Sequence, residues 1–552
     1  MYMRKTPPFS DLLNGIVRGA KRSLSSLFIA VVVLVGTGCN KDDFNPDLLE
    51  ETTWSPEVAF PLVYTEMGIS DLTGVNDSNT TIITDPDQFC TLIYAGRAFD
   101  LSAAQLAPLP DQYFNKSYGL SNSQLNTLGV AGQVTITKSQ LVDFSVSQGM
   151  EIDSITFKDG TFDFGISSDF PVNATVLLTI ASLQKDGVPL TATLPLNYSG
   201  GIPVTASSIV NLTGYRCDFT NGGITHNQLK VDYTITFSGT ASGASTSNRI
   251  TLNPAFKGLK FQSLFGYAGQ QSIANIKDSI EISIFNNSIG SGTFTIAEPK
   301  IRFDISNSLG LPISARVNQL LALNGNLTNF VVATGVPDPL PVGSPNISQI
   351  GQTVNSTFTL DHNNSNINAL IGQQPKYLIT QTQATTNPAG HAINFLLDSS
   401  KIAVDVHVEL PFYGTANNFK VKDTVPFSYN DLADVQDLLL RMELENGFPL
   451  ESSVQLIFTD ENLNPLDTMF TADEVVIPSG IVAPGDERVS LPGRKVHDQH
   501  FDQQRIQKIL SAKNIVVVAS ATSMNEGNTN VRIYADYKMK IKIGAIAKMK
   551  IQ

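Results

Sequence analysis

The densest group of side chains able to do chemistry is His497-Asp498-Gln499-His500-Phe501-Asp502. Two imidazoles and two carboxylates within six residues are donor types that zinc takes. On a helix His497 and His500 would stand one turn apart on one face, with Asp502 close by. The neighbours Arg494, Lys495, Gln503, Gln504 and Arg505 describe a solvated loop entering a helix, where most of these groups face water. The acidic turns Asp85-Pro86-Asp87 and Asp460-Glu461-Asn462 offer oxygen ligands for calcium but lack an EF-hand spacing. Asp and Asn are also ordinary turn formers. Nucleophilic catalysis has no local signature: the chain lacks Gly-x-Ser-x-Gly, a phosphate loop and a dinucleotide fingerprint. His226, His362, His391 and His407 lie singly among strand or loop residues, His407 pointing outward between Val406 and Val408. The single Trp54 counts against sugar binding by stacking platforms, and a dispersed acid pair is open to any chain this rich in carboxylates. No cofactor is expected.

Three cysteines carry different meanings. Cys39 follows a basic stretch (Arg18, Lys21, Arg22), an apolar run from Leu27 to Val35 and Gly36-Thr37-Gly38, and precedes Asn40-Lys41-Asp42-Asp43. A charged region, a short apolar core and small residues before a cut describe a secretory signal over 1–38. The apolar run is too short for a spanning helix, which needs about 20 such residues. Cys90 and Cys217, 127 positions apart, can pair in an oxidising compartment or stand as two buried thiols.

Charge narrows the partners. The chain carries net −13; residues 1–38 are net +4, leaving −17 for the exported part. Such a surface does not seek nucleic acid or adhere to anionic lipid by charge. At 552 residues the chain holds several cores.

The elements that must position these groups are strands. Turn residues recur every 8–12 positions between alternating segments such as Leu229-Val231-Tyr233-Ile235-Phe237, the mark of an all-β protein. Short helices are predicted after Ser365 and over 501–511. A repeat dominates the rest. Phe162-Asp-Phe164-Gly-Ile166, Ile301-Arg-Phe303-Asp-Ile305 and Leu440-Arg-Met442-Glu-Leu444 begin 139 residues apart. They lead into Phe170-Pro171-Val172, Leu311-Pro312-Ile313 and Phe448-Pro449-Leu450. A small residue stands three after each proline and a valine five after. This reads as a strand, a corner at a proline that cannot donate to the ladder, and a second strand. Gln319 breaks the pattern where the other copies have Leu178 and Leu456. Fainter likenesses link Ile276–Ile280 to Val421–Val425, and Val188-Pro189-Leu190 to Asn464-Pro465-Leu466.

A period of 139 is a domain size. The expected fold is therefore about three tandem antiparallel β-sandwich-like modules with few helices. Expected divisions are a tether at 39–50, modules at 51–200 and 201–336, a proline-rich linker at 337–345 and a third module at 346–552. From Ile533 to Ile543 the odd positions are apolar or small and Lys538, Lys540 and Lys542 line the other side. That reads as one strand whose lysine row guards against strand-to-strand aggregation or meets an acidic surface.

The residues around Cys39 resemble the lipobox of bacterial lipoproteins, with Gly36 where that family prefers Leu. The Lys41-Asp42-Asp43 run is similar to the acidic export signal of surface lipoproteins in Bacteroidota. The overall texture resembles large uncharacterised lipoproteins of that group. The resemblance implies diacylation of Cys39 and a lipid-anchored place at the outer membrane, periplasmic or surface-exposed, with an envelope or extracellular protein as partner. It implies no activity. The first reading is a non-enzymatic binding or structural lipoprotein. The second is a binder of lipid or another hydrophobic ligand, suggested by 30 Phe and by runs such as Val176-Leu177-Leu178. The third is a hydrolase with a dispersed site.

Overall fold

Alternating residues form strands here because each strand buries one face against a facing sheet and leaves the other to water. The computed structural model describes residues 57–69 and 80–549, except 148, 287, 290, 291, 325–329, 428–434, 472–474, 484 and 486. The signal region, Cys39, the tether and Trp54 lie outside the described residues. The fold is all-β, built of antiparallel sheets with a few short helices.

The first strands are β1 (Glu57–Met67), β2 (Thr80–Thr84), β3 (Cys90–Ser102), β4 (Gln112–Tyr113) and β5 (Lys116–Tyr118), followed by helix α1 (Asn122–Ala131). Module 1 then runs β6 (Gln133–Asp143), β7 (Glu151–Ser168), β8 (Asn173–Lys185), β9 (Val188–Leu196), β10 (Val204–Asn211), β11 (Gln228–Ser238) and β12 (Ile250–Tyr267). One layer has the order β6-β11-β8-β9 and the other β10-β7-β12. A short strand, Arg216–Asp218, bridges β7 and β8 and joins the two layers.

Module 2 repeats this topology. It runs β13 (Ser272–Glu281), β14 (Lys300–Asn307), β15 (Ile313–Leu323), β16 (Phe330–Val332), β17 (Val354–Leu360), α2 (Ile367–Gly372), β18 (Tyr377–Thr386), β19 (Asn394–Leu397) and β20 (Lys401–Pro411). Its layers are β13-β18-β15-β16 and β17-β14-β20. Module 3 does so again, with β21 (Phe419–Pro426), β22 (Val435–Asn446), β23 (Leu450–Thr459), β24 (Pro465–Thr468), β25 (Gly493–Phe501), α3 (Gln503–Leu510), β26 (Asn514–Ser523) and β27 (Met539–Met549). Its layers are β21-β26-β23-β24 and β25-β22-β27. The faint likenesses also find equivalent places: 276–280 and 421–425 fall on first strands, and 188–190 and 464–466 open fourth strands.

The three proline corners occupy one topological position, between the second and third strands. Each is closed by the polar residue that ends the second strand. Ser168 Oγ accepts from Phe170 N at 3.2 Å, Asn307 Oδ1 from Leu309 N at 2.9 Å and Asn446 Oδ1 from Phe448 N at 2.9 Å. All three are buried, so the turn is made inside the sandwich and its donors need these partners. At Gln319 a bulge shifts the register between Val317 and Gln319, exposing the glutamine and turning Leu320 inward.

The expected divisions are corrected. The break at 200/201 lies between β9 and β10, inside module 1, and residues 337–345 lie between β16 and β17, inside module 2. Both segments carry the chain from one layer to the other, which needs the same turn chemistry as a linker. The proline-rich stretch is built in: Leu340 N donates to Ala315 O and Asn307 Nδ2 to Gly343 O. The modules span 133–267, 272–411 and 419–549.

Residues 57–69 and 80–118 belong to no single module. β1 pairs with β27 of module 3, the β2–β3 hairpin adds to β20 of module 2, and β4 and β5 pair with β12 of module 1. This segment is a strap laid along all three modules. Calling the corner end of each module its head and the opposite end its tail, the heads of modules 2 and 3 dock on the preceding tails. β19 extends the edge of β12, and Asn387 and Asn394 hydrogen-bond each other, Gly269 O and Ala268 N in a fully buried network. At the next junction Ile533 N donates to Phe412 O, Cys90 N to Ile533 O, and Phe89 meets Tyr534 edge-on at 5.9 Å.

Candidate functional site

The His497 cluster is dispersed by its backbone. His497 and His500 lie in β25, not on a helix; three residues apart in a strand, they point to opposite faces. His497 meets the ring of Phe470 at 5.4 Å, while His500 Nε2 lies 2.7 Å from Asp437 Oδ2. Asp498 pairs with Arg441 at 2.6 Å, and its hydrogen bond holds the carboxyl below its usual range. Asp502 is the N-cap of α3, accepting from Arg505 N at 2.9 Å. The helical premise of the zinc reading is thus replaced by strand alternation. Among the described residues no three His, Cys, Asp or Glu groups stand in metal-holding geometry.

The acidic turns are closed by their own carboxylates. Asp85 Oδ1 accepts from Phe89 N at 2.8 Å. Asp460 accepts from the Asn464 side chain and from the Asn464 and Asn462 amides, all at 2.9 Å, which holds its carboxyl low. Cys90 and Cys217 are free, buried and in different sheets. Burial pushes both thiols up. With Cys39 replaced, the native protein is expected to leave both unreacted with an alkylating reagent that modifies both in denaturant, as counted by intact mass. Rapid labelling of native Cys217 would contradict the buried position.

Folding also creates a group that no local spacing announces. β7 places Glu151 and Asp153 on one face, and two loops bring in His226 and His391. Asp153 Oδ1 lies 2.6 Å from His226 Nδ1; Glu151 Oε2 lies 3.7 Å from His226 Nε2 and 3.0 Å from His391 Nε2. Tyr267 packs on His391 at 4.6 Å. Both nitrogens of His226 face carboxylates, so this imidazole has no hydroxyl or thiol to activate. The cluster straddles the tail of module 1 and the head of module 2, and ties them. His407 is half-buried, 3.4 Å from Asp304.

The lysine row is not on a free edge. β27 begins only at Met539, and residues 533–538 form a turn whose Tyr534 and Tyr537 are buried. β27 is central between β1 and β22. Lys540 pairs with Glu445 at 3.2 Å, Glu445 also takes Arg494 at 3.0 Å, and Lys542 sits over Tyr64. A cross-strand carboxylate and a tyrosine ring thus meet two of the three lysines. Between the layers of module 2, beside Phe99, Phe303 and Leu340, lies an apolar cavity of about 20 Å³. That is room for about one water, against the hundreds of Å³ that a ligand pocket encloses.

No family model matches the chain, and no curated protein matches it. Among solved structures it is similar to a protein from Parabacteroides distasonis described as secreted, at 12% identity and TM-score 0.24, covering 51% of this chain and 88% of that one. It is also similar to the triple jelly roll protein of an archaeal virus turret, at 10% identity and TM-score 0.10, covering 78% of this chain and 95% of that one. No described helix is long and apolar enough to cross a membrane.

Proposed function

We propose that this protein is a lipoprotein of the bacterial envelope, held to the outer membrane by acyl chains on Cys39, with a non-enzymatic binding or structural role. One observation carries the structural part: three modules of one topology are docked head to tail and bound along their length by a single strap. The polar groups at the corners and junctions are spent on closing turns and locking modules. The layers close on one another, which favours this reading over a lipid carrier. The partner in this reading is an envelope or extracellular protein, and the net charge of −17 disfavours nucleic acid.

Membrane fractionation tests the anchor. The wild-type chain is expected in the membrane pellet after a high-salt wash and labelled by a fatty-acid analogue. Cys39→Ala should lose the label and leave the pellet. A Cys39→Ala protein that stays membrane-bound after the wash overturns the anchoring.

A further inference from the structure

The strap has a direction. Glu57 pairs with Lys548 at the tail of module 3, and Met67 with Met539 at its head. β3 enters module 2 at its tail, where Thr91 meets Pro411, and leaves at its head, where Ser102 meets Lys401. β4 and β5 continue up module 1, from Phe256 toward Ile250. Apart from β2, which descends beside β3 as the first arm of a hairpin, the described strap strands climb from the free tail of module 3 to the head of module 1. At the head, Gly132, which ends α1, accepts from Gly239 N, and the Ala241 side chain lies against Gly129. That loop links β11 to β12; the equivalent segments of modules 2 and 3 dock on the preceding tail. Module 1 thus ends the row with a helical cap.

We infer, on the reading that Cys39 is acylated, that the row attaches end-on, with the tail of module 3 at the lipid surface and the capped head of module 1 outermost. Only 17 residues lie between Cys39 and Glu57, a reach of about 60 Å. The second strands of the three modules hold 18, 8 and 12 residues, so modules stacked head to tail extend on the order of 100 Å. The tether brings the tail of module 3 to the bilayer and leaves the head of module 1 beyond its reach. Net −17 gives the row no charge attraction that would lay it along anionic lipid.

The test uses the full-length acylated protein in liposomes carrying a headgroup quencher. A fluorophore is placed by Glu461→Cys, in the exposed tail turn of module 3, or by Val130→Cys, 92% exposed on α1 at the head of module 1. Flotation is measured first. In floating protein the label at 461 should lose emission and the label at 130 should keep it. Equal quenching at both positions, or quenching at neither, overturns the end-on arrangement while leaving the anchor standing. Protein that does not float overturns the anchoring reading, and this inference with it.

Discussion

Phe256→Ala is expected to destabilise module 1 by about 3–5 kcal/mol, the range for emptying a large aromatic site in a closed core. Phe256 is 1% exposed and sits where several rings meet. Its centroid lies 5.0 Å from Phe162, 5.9 Å from Phe114, 6.3 Å from Phe144 and 6.5 Å from Phe157. These rings come from the strap (Phe114), from the end of β6 (Phe144) and from the paired strand β7 (Phe157 and Phe162), so no single neighbour can collapse into the gap. The chain has several modules, so the loss is followed module by module. Hydrogen exchange followed by mass spectrometry reads the loss locally: amides of β7 and β12 should open far more often, while those of β22 and β27 stay unchanged. Phe256→Leu should cost about 1 kcal/mol, since most of the volume is kept. An alanine variant whose β7 and β12 amides exchange as in the wild type would show that these rings do not depend on Phe256.

Arg505→Met is expected to cost module 3 about 3 kcal/mol, because it strands a partner charge in a mostly enclosed place. The Arg505 and Asp467 side chains are 14% and 9% exposed. The guanidinium donates to Asp467 Oδ1 from Nε at 3.1 Å and from Nη2 at 3.0 Å, to His500 O at 2.6 Å and to Thr468 O, with its plane over Phe501 at 4.2 Å. Methionine fills the stem's volume but leaves the carboxylate with no charged partner nearer than Lys508, at 3.9 Å, beside the Thr468 amide at 2.7 Å. Replacing Asp467 with Leu in the same chain should restore much of the loss, as apolar pairs often replace enclosed ion pairs at little cost. The comparison is read from exchange of β23 and β26 amides and from the denaturation midpoint. A double variant no better than the single one would show that the lost backbone acceptors, not the stranded carboxylate, account for the damage.

The corner was legible because it depends on local chemistry. A proline flanked by apolar residues, with a small residue three later, marks the same bend in all three modules, and the polar residue ending each second strand closes it. Gln319 looked like a flaw and is the signature of a bulge. The N-cap role of Asp502 lay in its place before a helical pattern, whereas the preceding histidines, expected in a solvated loop or, for zinc, on a helical face, end a strand. Periodicity over six residues does not separate the two. Module limits were illegible for a different reason. Second strands pair with fifth and seventh ones, and the segments at 197–203 and 337–345 that connect layers use the same residues as linkers. The strap was invisible because its partners lie hundreds of positions downstream. The meeting of Glu151, Asp153, His226 and His391 likewise has no spacing to read.

The strap sets the order in which this protein can be finished. β1 is the first described strand to leave the ribosome, and the strand that completes its pairing, β27, is the last. Until β27 arrives, β1 waits with an unsatisfied ladder. Non-local closure of this kind is slow and leaves open strands exposed to wrong neighbours. A chain delivered in extended form suits such a plan, since nothing upstream locks prematurely. Products cut short anywhere before β27 would carry an unmatched leading strand, a mark by which a protease can tell an incomplete copy from a whole one.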